Sequence, residues 1–299
     1  MKILNFGSCN IDHVYSVLHI TNPGETIASD ILREFPGGKG LNQSVAIARS
    51  GEKVYHAGCI GKNDVMLEEF LVSAGVDTRY LKRTDEVTGH AIIQVDDSGE
   101  NSIIIYHGAN YAITKEYIDE VLEDFDSCDV IVLQNEISNL DYVIEKAYKK
   151  NMTIILNPSP IDEEVLSIDL NKISVILLNR GEGFSFTGEE QTEKICDYFI
   201  EHYNNLKVVL TLGKEGSCFI DCKNNEKIFC PAFKTEAKDT TGAGDTFTGY
   251  FVSALVKNME IMSALKYSSA ASVIAVSRDG AASSIPLYKE VEDFIKANT

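Results

Sequence analysis

Four runs of the chain, residues 130–133, 154–156, 175–178 and 208–210, are apolar throughout. Each is too short for a helix, and an apolar run without alternation suits a strand covered on both faces. Between them lie amphipathic stretches such as residues 140–149 and 190–201, with apolar positions at helical spacing. Strand and helix therefore alternate, which predicts an α/β fold: a central, mostly parallel sheet flanked by helices. From residue 239 onward the pattern turns helical. Phe247, Phe251 and Leu255 share one face, and further helical runs follow at 261–276 and 287–297.

Two stretches break this rhythm. Residues 12–35 and 88–106 alternate β-rich positions around turn signals, and in the second, residues 90–95 and 102–106 flank Asp97, Ser98 and Gly99, the composition of a tight hairpin. Strands that leave a covered parallel sheet need another surface. A small β-sheet standing off the main body is expected, serving as a lid, a dimer interface or both. With 299 residues the chain can bury one large core, so residues 1–299 read as a single domain carrying this lid.

Charge narrows the functions. Lys and Arg number 27 against 45 Asp and Glu, a net charge of −18 that repels polyanions and argues against nucleic-acid binding. A small anionic nucleotide stays possible wherever helix N-termini, a cation or single lysines supply local positive potential. Seven cysteines with no paired metal-ligand doublets read as reduced thiols. No apolar run suits a signal peptide or a membrane span, so a soluble cytoplasmic protein is expected.

The most informative segment runs Asp239-Thr240-Thr241-Gly242-Ala243-Gly244-Asp245-Thr246, a glycine-rich turn opening a helix. Free N–H groups at such a start favour phosphate. Asp245 would repel that phosphate, so it reads as a base for an attacking hydroxyl, although an Asp there also serves as a helix cap. Neither the P-loop pattern nor a third glycine at 247 is present, which disfavours P-loop and Rossmann readings. A second glycine run, Gly37-Gly38-Lys39-Gly40-Leu41-Asn42-Gln43, opens another helix; it reads as a polyol-binding loop or as a tight turn with a solvated lysine. Asn10 and Asp12 follow the first strand, where open α/β sheets place ligands, or else form an Asx turn.

Taken in order, Gly7-Ser8-x-Asn10-x-Asp12, Pro23-Gly24-Glu25-Thr26, the 37–43 run and the 239–246 turn resemble the ribokinase, or PfkB, family of sugar kinases over nearly the whole chain. The resemblance implies an ATP-dependent kinase acting on the primary hydroxyl of a sugar, D-ribose above all. Gly242, Ala243 and Gly244 would form the anion hole and Asp245 the base. Sugar contacts are implied for Asn10, Asp12, Gly38, Lys39, Asn42 and Glu136, the last of which reads equally as a solvated loop acid.

ATP contacts are implied for Asn179, Thr211, Gly213, Gly216 and Gly244. The Asn179-Arg180-Gly181-Glu182 segment matches a family pattern associated with Mg²⁺ through water, with Arg180 where relatives more often carry Glu. The resemblance also implies a K⁺ site at Asp239, Thr241, Ala275, Arg278, Gly280 and Ser284, and the exposed lid strands favour a homodimer, because unpaired edges invite a partner. Related kinases of fructose, adenosine or pseudouridine, and a non-catalytic sugar sensor, are the alternatives.

Overall fold

The structure, a computed structural model, describes residues 1–298, and among them thirteen strands and ten α-helices. β1 (Ile3–Phe6) leads into β2 (Asn10–Ser16) and β3 (Ile31–Gly37), then α1 (Lys39–Arg49), β4 (Val54–Gly61), α2 (Met66–Ser73) and β5 (Asp77–Thr84). β6 (Gly89–Val95) and β7 (Asn101–Tyr106) precede α3 (Lys115–Leu122). Strand and helix then alternate through β8 (Val130–Gln134), α4 (Leu140–Lys149), β9 (Thr153–Asn157), α5 (Glu163–Leu166), β10 (Val175–Asn179), α6 (Arg180–Thr187), α7 (Thr192–His202) and β11 (Lys207–Thr211). β12 (Gly216–Asp221) and β13 (Glu226–Pro231) make a hairpin before α8 (Ala243–Val256), α9 (Ile261–Val276) and α10 (Tyr288–Asn298).

Nine strands form the main sheet in the order β13-β12-β11-β10-β9-β8-β1-β4-β5, parallel except at the β11-β12-β13 edge. The four apolar runs are its centre. Every residue of β8 is buried, and successive side chains enter opposite cores: Ile131 and Leu133 pack with α3, α4 and α7, whereas Val130 and Val132 pack with α1, α8 and α9. Helices lie on the sheet as their spacing predicts. In α4 the buried set is Leu140, Val143, Ile144 and Ala147.

α8 departs from expectation. Instead of one apolar stripe, residues 245–254 are buried all round. The helix is sandwiched between α1 and α9, and Gly249 permits this, since a Cβ there would collide with Ala46. The close approach matters to function because α1 and α8 each begin at a glycine-rich turn, and their contact brings those turns together.

The second sheet has the order β3-β2-β6-β7. Its strands interrupt the main alternation, β2 and β3 between β1 and α1, β6 and β7 between β5 and α3. β6 and β7 pair antiparallel around the turn at residues 96–100, as their composition predicts. Two details differ: β2 starts at Asn10, so Asn10 and Asp12 lie on a strand and form no Asx turn, and β2 and β6 join in parallel register, Asn10 opposite Gly89. This sheet exposes Ile31, Leu32, Ile103, Ile104, Ile105 and Tyr106.

Candidate active site

The strands of the parallel sheet end on one edge, and the expected site residues gather there: Ser8 after β1, Glu136 after β8, Asn179 at the end of β10 and Thr211 at the end of β11. The loop into α1 crosses the same edge closely. Gly40 lies on the backbone of Ser8, where a Cβ would overlap it, and its N–H donates to Ser8 Oγ at 3.2 Å. Gly38 takes φ +89°, a left-handed conformation that glycine adopts freely.

Asp245 is buried in the first turn of α8, 6% exposed. It makes no capping bond to its own helix. Instead, Asn42 Nδ2 donates to Oδ2 at 2.9 Å and Gln43 Nε2 donates to Oδ1 at 3.0 Å. The helix is entered through Gly242 at φ +71°, where an added Cβ would come within 3.2 Å of Ala281. Ala243 N–H donates to Thr240 O at 3.3 Å, whereas Gly244 faces open space. Of the turn's amides, those of Gly244 and Asp245 are the ones that helical geometry leaves pointing outward.

Sugar-side residues form one polar cluster with this carboxylate. Glu136 accepts from Ser8 Oγ and, at 2.8 Å, from the Lys39 N–H. Burial lifts the Glu136 carboxyl above its usual range despite the Lys39 charge and the Ser8 and Lys39 donors that favour ionisation. Burial beside Glu136 and Asp245 raises Asp12 from 3.8 to about 7. Burial works to lower Lys39, but the negative charges of Asp245, Glu136 and Glu182 outweigh it, so the ammonium is held above its ordinary value. The cluster therefore keeps one cation among several acids.

Asn110 completes this side and carries no motif. Its Nδ2 donates to Asn10 Oδ1 at 2.7 Å and its Oδ1 accepts from Cys9 N at 3.0 Å, leaving the Asn10 amide nitrogen to donate elsewhere. Gly89 is packed against both amides, with no room for a Cβ. Nothing in the local sequence marks Asn110, whose full burial after the β7 hairpin only the fold reveals.

Nucleotide-side residues line a separate groove of about 470 Å³. Thr211, Gly213, Gly216, Ala243 and Gly244 contribute, as expected for four of the five ATP positions. Asn179 does not line it. Phe233, Lys234, Ser272 and Val273 do, and nothing in local sequence marks them. Asn179 and Glu182 instead form a reciprocal cap of α6: Asn179 Oδ1 accepts from Glu182 N and Glu182 Oε2 from Asn179 N, each at 2.9 Å. Arg180 pairs with Glu215 at 2.7 Å and ties this end of β10 to the 213–215 turn.

Of the positions expected to hold K⁺, Thr241 and Gly280 are tied to Asp239, whose two carboxylate oxygens accept from Thr241 N and Gly280 N, each at 2.9 Å. Burial would raise this carboxyl, but those donors outweigh it and hold it below its usual range, that is, ionised. Ala275 O accepts from Arg278 N at 3.0 Å, and the Arg278 guanidinium reaches Ser284 O at 3.4 Å and Glu290.

A buried carboxylate touches a polyol-type loop and stands on a turn whose Ala243 and Gly244 line a nucleotide-sized groove, an arrangement suited to phosphoryl transfer to an alcohol. Comparison with known proteins places it further. Residues 1–287 match the pfkB family of carbohydrate kinases. A ribokinase of Haemophilus influenzae is 35% identical over 304 residues, covering 97% of each chain. Among solved structures, ribokinase of Cryptococcus neoformans in complex with ADP superposes with a TM-score of 0.86 at 34% identity, covering 98% of each chain. Ribokinase of Arabidopsis thaliana complexed with ribose and ATP gives 0.84 at 27% identity, covering 99% of this chain and 98% of that one. The chain belongs to the pfkB family of carbohydrate kinases, and its fold is that of the ribokinases.

Proposed function

We propose that this protein transfers the γ-phosphoryl group of ATP to the primary hydroxyl of D-ribose, giving ribose 5-phosphate. One observation carries the proposal: the Gly242–Asp245 turn belongs to both sites. Its carboxylate is bonded by Asn42 and Gln43 of the sugar-side loop, and its Ala243 and Gly244 line the groove. Ribokinases of Haemophilus influenzae and Staphylococcus aureus are 35% identical over nearly the full length, deoxyribokinases 27%, and one ribokinase is solved with ribose and ATP together.

In this reading ribose lies against β2 and the α1 loop, held by Asn10, Asp12, Gly38, Lys39, Asn42 and Glu136. Asn42 Oδ1 is buried without a partner among the described residues, an acceptor that a sugar hydroxyl next to the base would satisfy. Asp245 takes the proton of the primary hydroxyl as that oxygen bonds to the γ-phosphorus and the bond to the β–γ bridging oxygen breaks, releasing ADP. The two amide donors leave each carboxylate oxygen a lone pair for that proton. Outward amides at Gly244 and Asp245 stabilise the developing negative charge, and Lys39 adds a fixed positive one.

Mg²⁺ fits the oxygen donors at β10: Glu182 keeps Oε1 free while Oε2 caps the helix, and with Asn179 it would hold the ion through water, neutralising phosphate charge. K⁺ fits an ionised carboxylate among carbonyls, with Asp239, Thr241, Ala275, Arg278, Gly280 and Ser284 as the holding positions and the anion hole as the region it would steady. The apolar outer strands suit pairing with a second copy through the lid. Light scattering is expected to give a homodimer; a monomer at working concentration removes the claim. No helix among the described residues is long and apolar enough to cross a membrane, and we place the enzyme in the cytoplasm.

The direct test is a panel of ribose, deoxyribose, fructose, adenosine and pseudouridine with an ADP-release readout. Ribose is expected to give the highest kcat/KM. Preference for a nucleoside moves the substrate assignment within the family, and sugar binding with no ADP release overturns the enzyme reading.

A further inference from the structure

Beneath the base lies a file of buried amides, of which only Gln43 stands in a motif. Asn5, Gln43 and Gln134 are each fully buried, on β1, α1 and at the end of β8. Asn5 Nδ2 donates to the Gly40 carbonyl at 2.6 Å and to Ser44 Oγ at 2.8 Å, which turns its own oxygen toward β8. Gln134 Nε2 donates to that oxygen at 2.9 Å and to Gln43 Oε1 at 2.7 Å. Gln43 Nε2 then donates to Asp245 Oδ1 and to Asn157 Oδ1, both at 3.0 Å. Asn157 closes the file by donating to the Leu177 carbonyl at 3.1 Å.

Backbone carbonyls anchor both ends. A carbonyl only accepts, so Gly40 O fixes which end of Asn5 is nitrogen, and Leu177 O does the same for Asn157. Every amide between them then has one orientation that pairs its donors with acceptors, and Gln134 Oε1 alone in the file stays buried without a partner among the described residues. Reversing Gln43 would set its oxygen against the Asp245 carboxylate and against Asn157 Oδ1 while placing its NH₂ against the Gln134 donor, three unpaired buried contacts at once.

We propose that Gln134 and Gln43 are positioning residues for phosphoryl transfer: Gln134 dictates the orientation of the Gln43 amide, and Gln43 thereby locks the Asp245 carboxylate onto the substrate hydroxyl. The inference rests on Asp245 being the base. It assigns a reaction role to an amide in the sheet interior, one residue beyond the apolar run of β8. Asn42 alone would leave the carboxylate free to pivot about a single hydrogen bond.

The test uses Gln134→Met, which keeps shape and removes the donor, in the parent enzyme and in Asp245→Asn. A misaimed base is expected to lower kcat about 10²-fold in the parent. KM for ribose should stay within about threefold, since the sugar contacts are untouched. In Asp245→Asn the same change should cost no more than about twofold, because the group it aims is already gone. Equal losses in both backgrounds, or a parent kcat unchanged, overturn the proposal. If Gln134→Met does not accumulate as folded protein, Gln43→Met removes the last link and is judged by the same criterion. Normal turnover of Asp245→Asn alone is a different result, which refutes the base itself.

Discussion

The two halves of the site are built differently. On the sugar side, buried side chains hold one another in place: Asn110 orients Asn10, Ser8 and the Lys39 amide hold Glu136, and Asn42 and Gln43 grip Asp245. On the nucleotide side the groove is lined by glycines and apolar side chains such as Phe233 and Val273, with hydroxyls such as Thr211 and Ser272 and the lysines Lys214 and Lys234 among them. A neutral polyol offers only hydroxyl directions to recognise, which demands side chains fixed in direction. A polyphosphate offers charge and bulk, which amides at a helix start and an open groove can meet. In the proposed reading the acceptor is met by side chains fixed in direction, whereas the donor site offers room, helix-start amides and the charges of Lys214 and Lys234.

Asp245 belongs to both halves, and its loss should break the comparison most severely. Asp245→Asn keeps the size but leaves one of the two buried amide donors without an acceptor, so the protein should still fold, with a thermal midpoint a few degrees lower, while kcat falls about 10³-fold. Paired variants sharpen the contrast between halves. Asn10→Ala, which removes a side chain held by Asn110, should raise the KM for ribose about tenfold and leave that for ATP unchanged. Phe233→Ala should raise the KM for ATP only about fivefold and leave that for ribose unchanged. Steady-state kinetics with each substrate varied in turn checks both, and a variant that moves both KM values equally would erase the division.

The smallest effect concerns stability. Asp12 binds its proton more tightly in the folded chain, at about 7 against 3.8, because burial and the charges of Glu136 and Asp245 oppose ionisation. A raised carboxyl makes the native state lose stability as pH climbs between those two values, since the unfolded chain has already released the proton. Asp12→Asn removes that loss, so it should melt about 5–10 °C higher than the parent near pH 8. The difference should vanish below about pH 4, where both side chains are neutral. Melting curves at the two pH values test it, and a stabilisation that persists in acid would contradict the assigned cause.

The same asymmetry explains what was legible in the sequence. The central strands could be read because burial on both faces leaves an unbroken apolar run, as in β8. β4 and β5 could not, since β4 carries the buried polar His56 and β5, at the sheet edge, is rich in Arg and Lys. Sugar-side residues stand in short motifs because a loop and a strand end supply them together. Asn110 and Gln134 escaped because each acts on another side chain across more than ninety residues of sequence, Asn110 on Asn10 and Gln134 on Gln43. Phe233 and Val273 escaped because a groove wall requires only an apolar surface, which many sequences supply. α8 was legible as a helix but not as a fully buried one, because its second covering face depends on Gly249 admitting α1.

The central claim is that one carboxylate reaches both substrates from a helix start. The most direct measurement is a crystal structure with ribose and a non-hydrolysable ATP analogue bound together. The account predicts the primary hydroxyl of ribose within hydrogen-bonding distance of an Asp245 oxygen and the terminal phosphate over the Gly244 amide. A complex in which the Asp245 side chain turns away from the hydroxyl, or in which the phosphates lie elsewhere along the sheet edge, would contradict it.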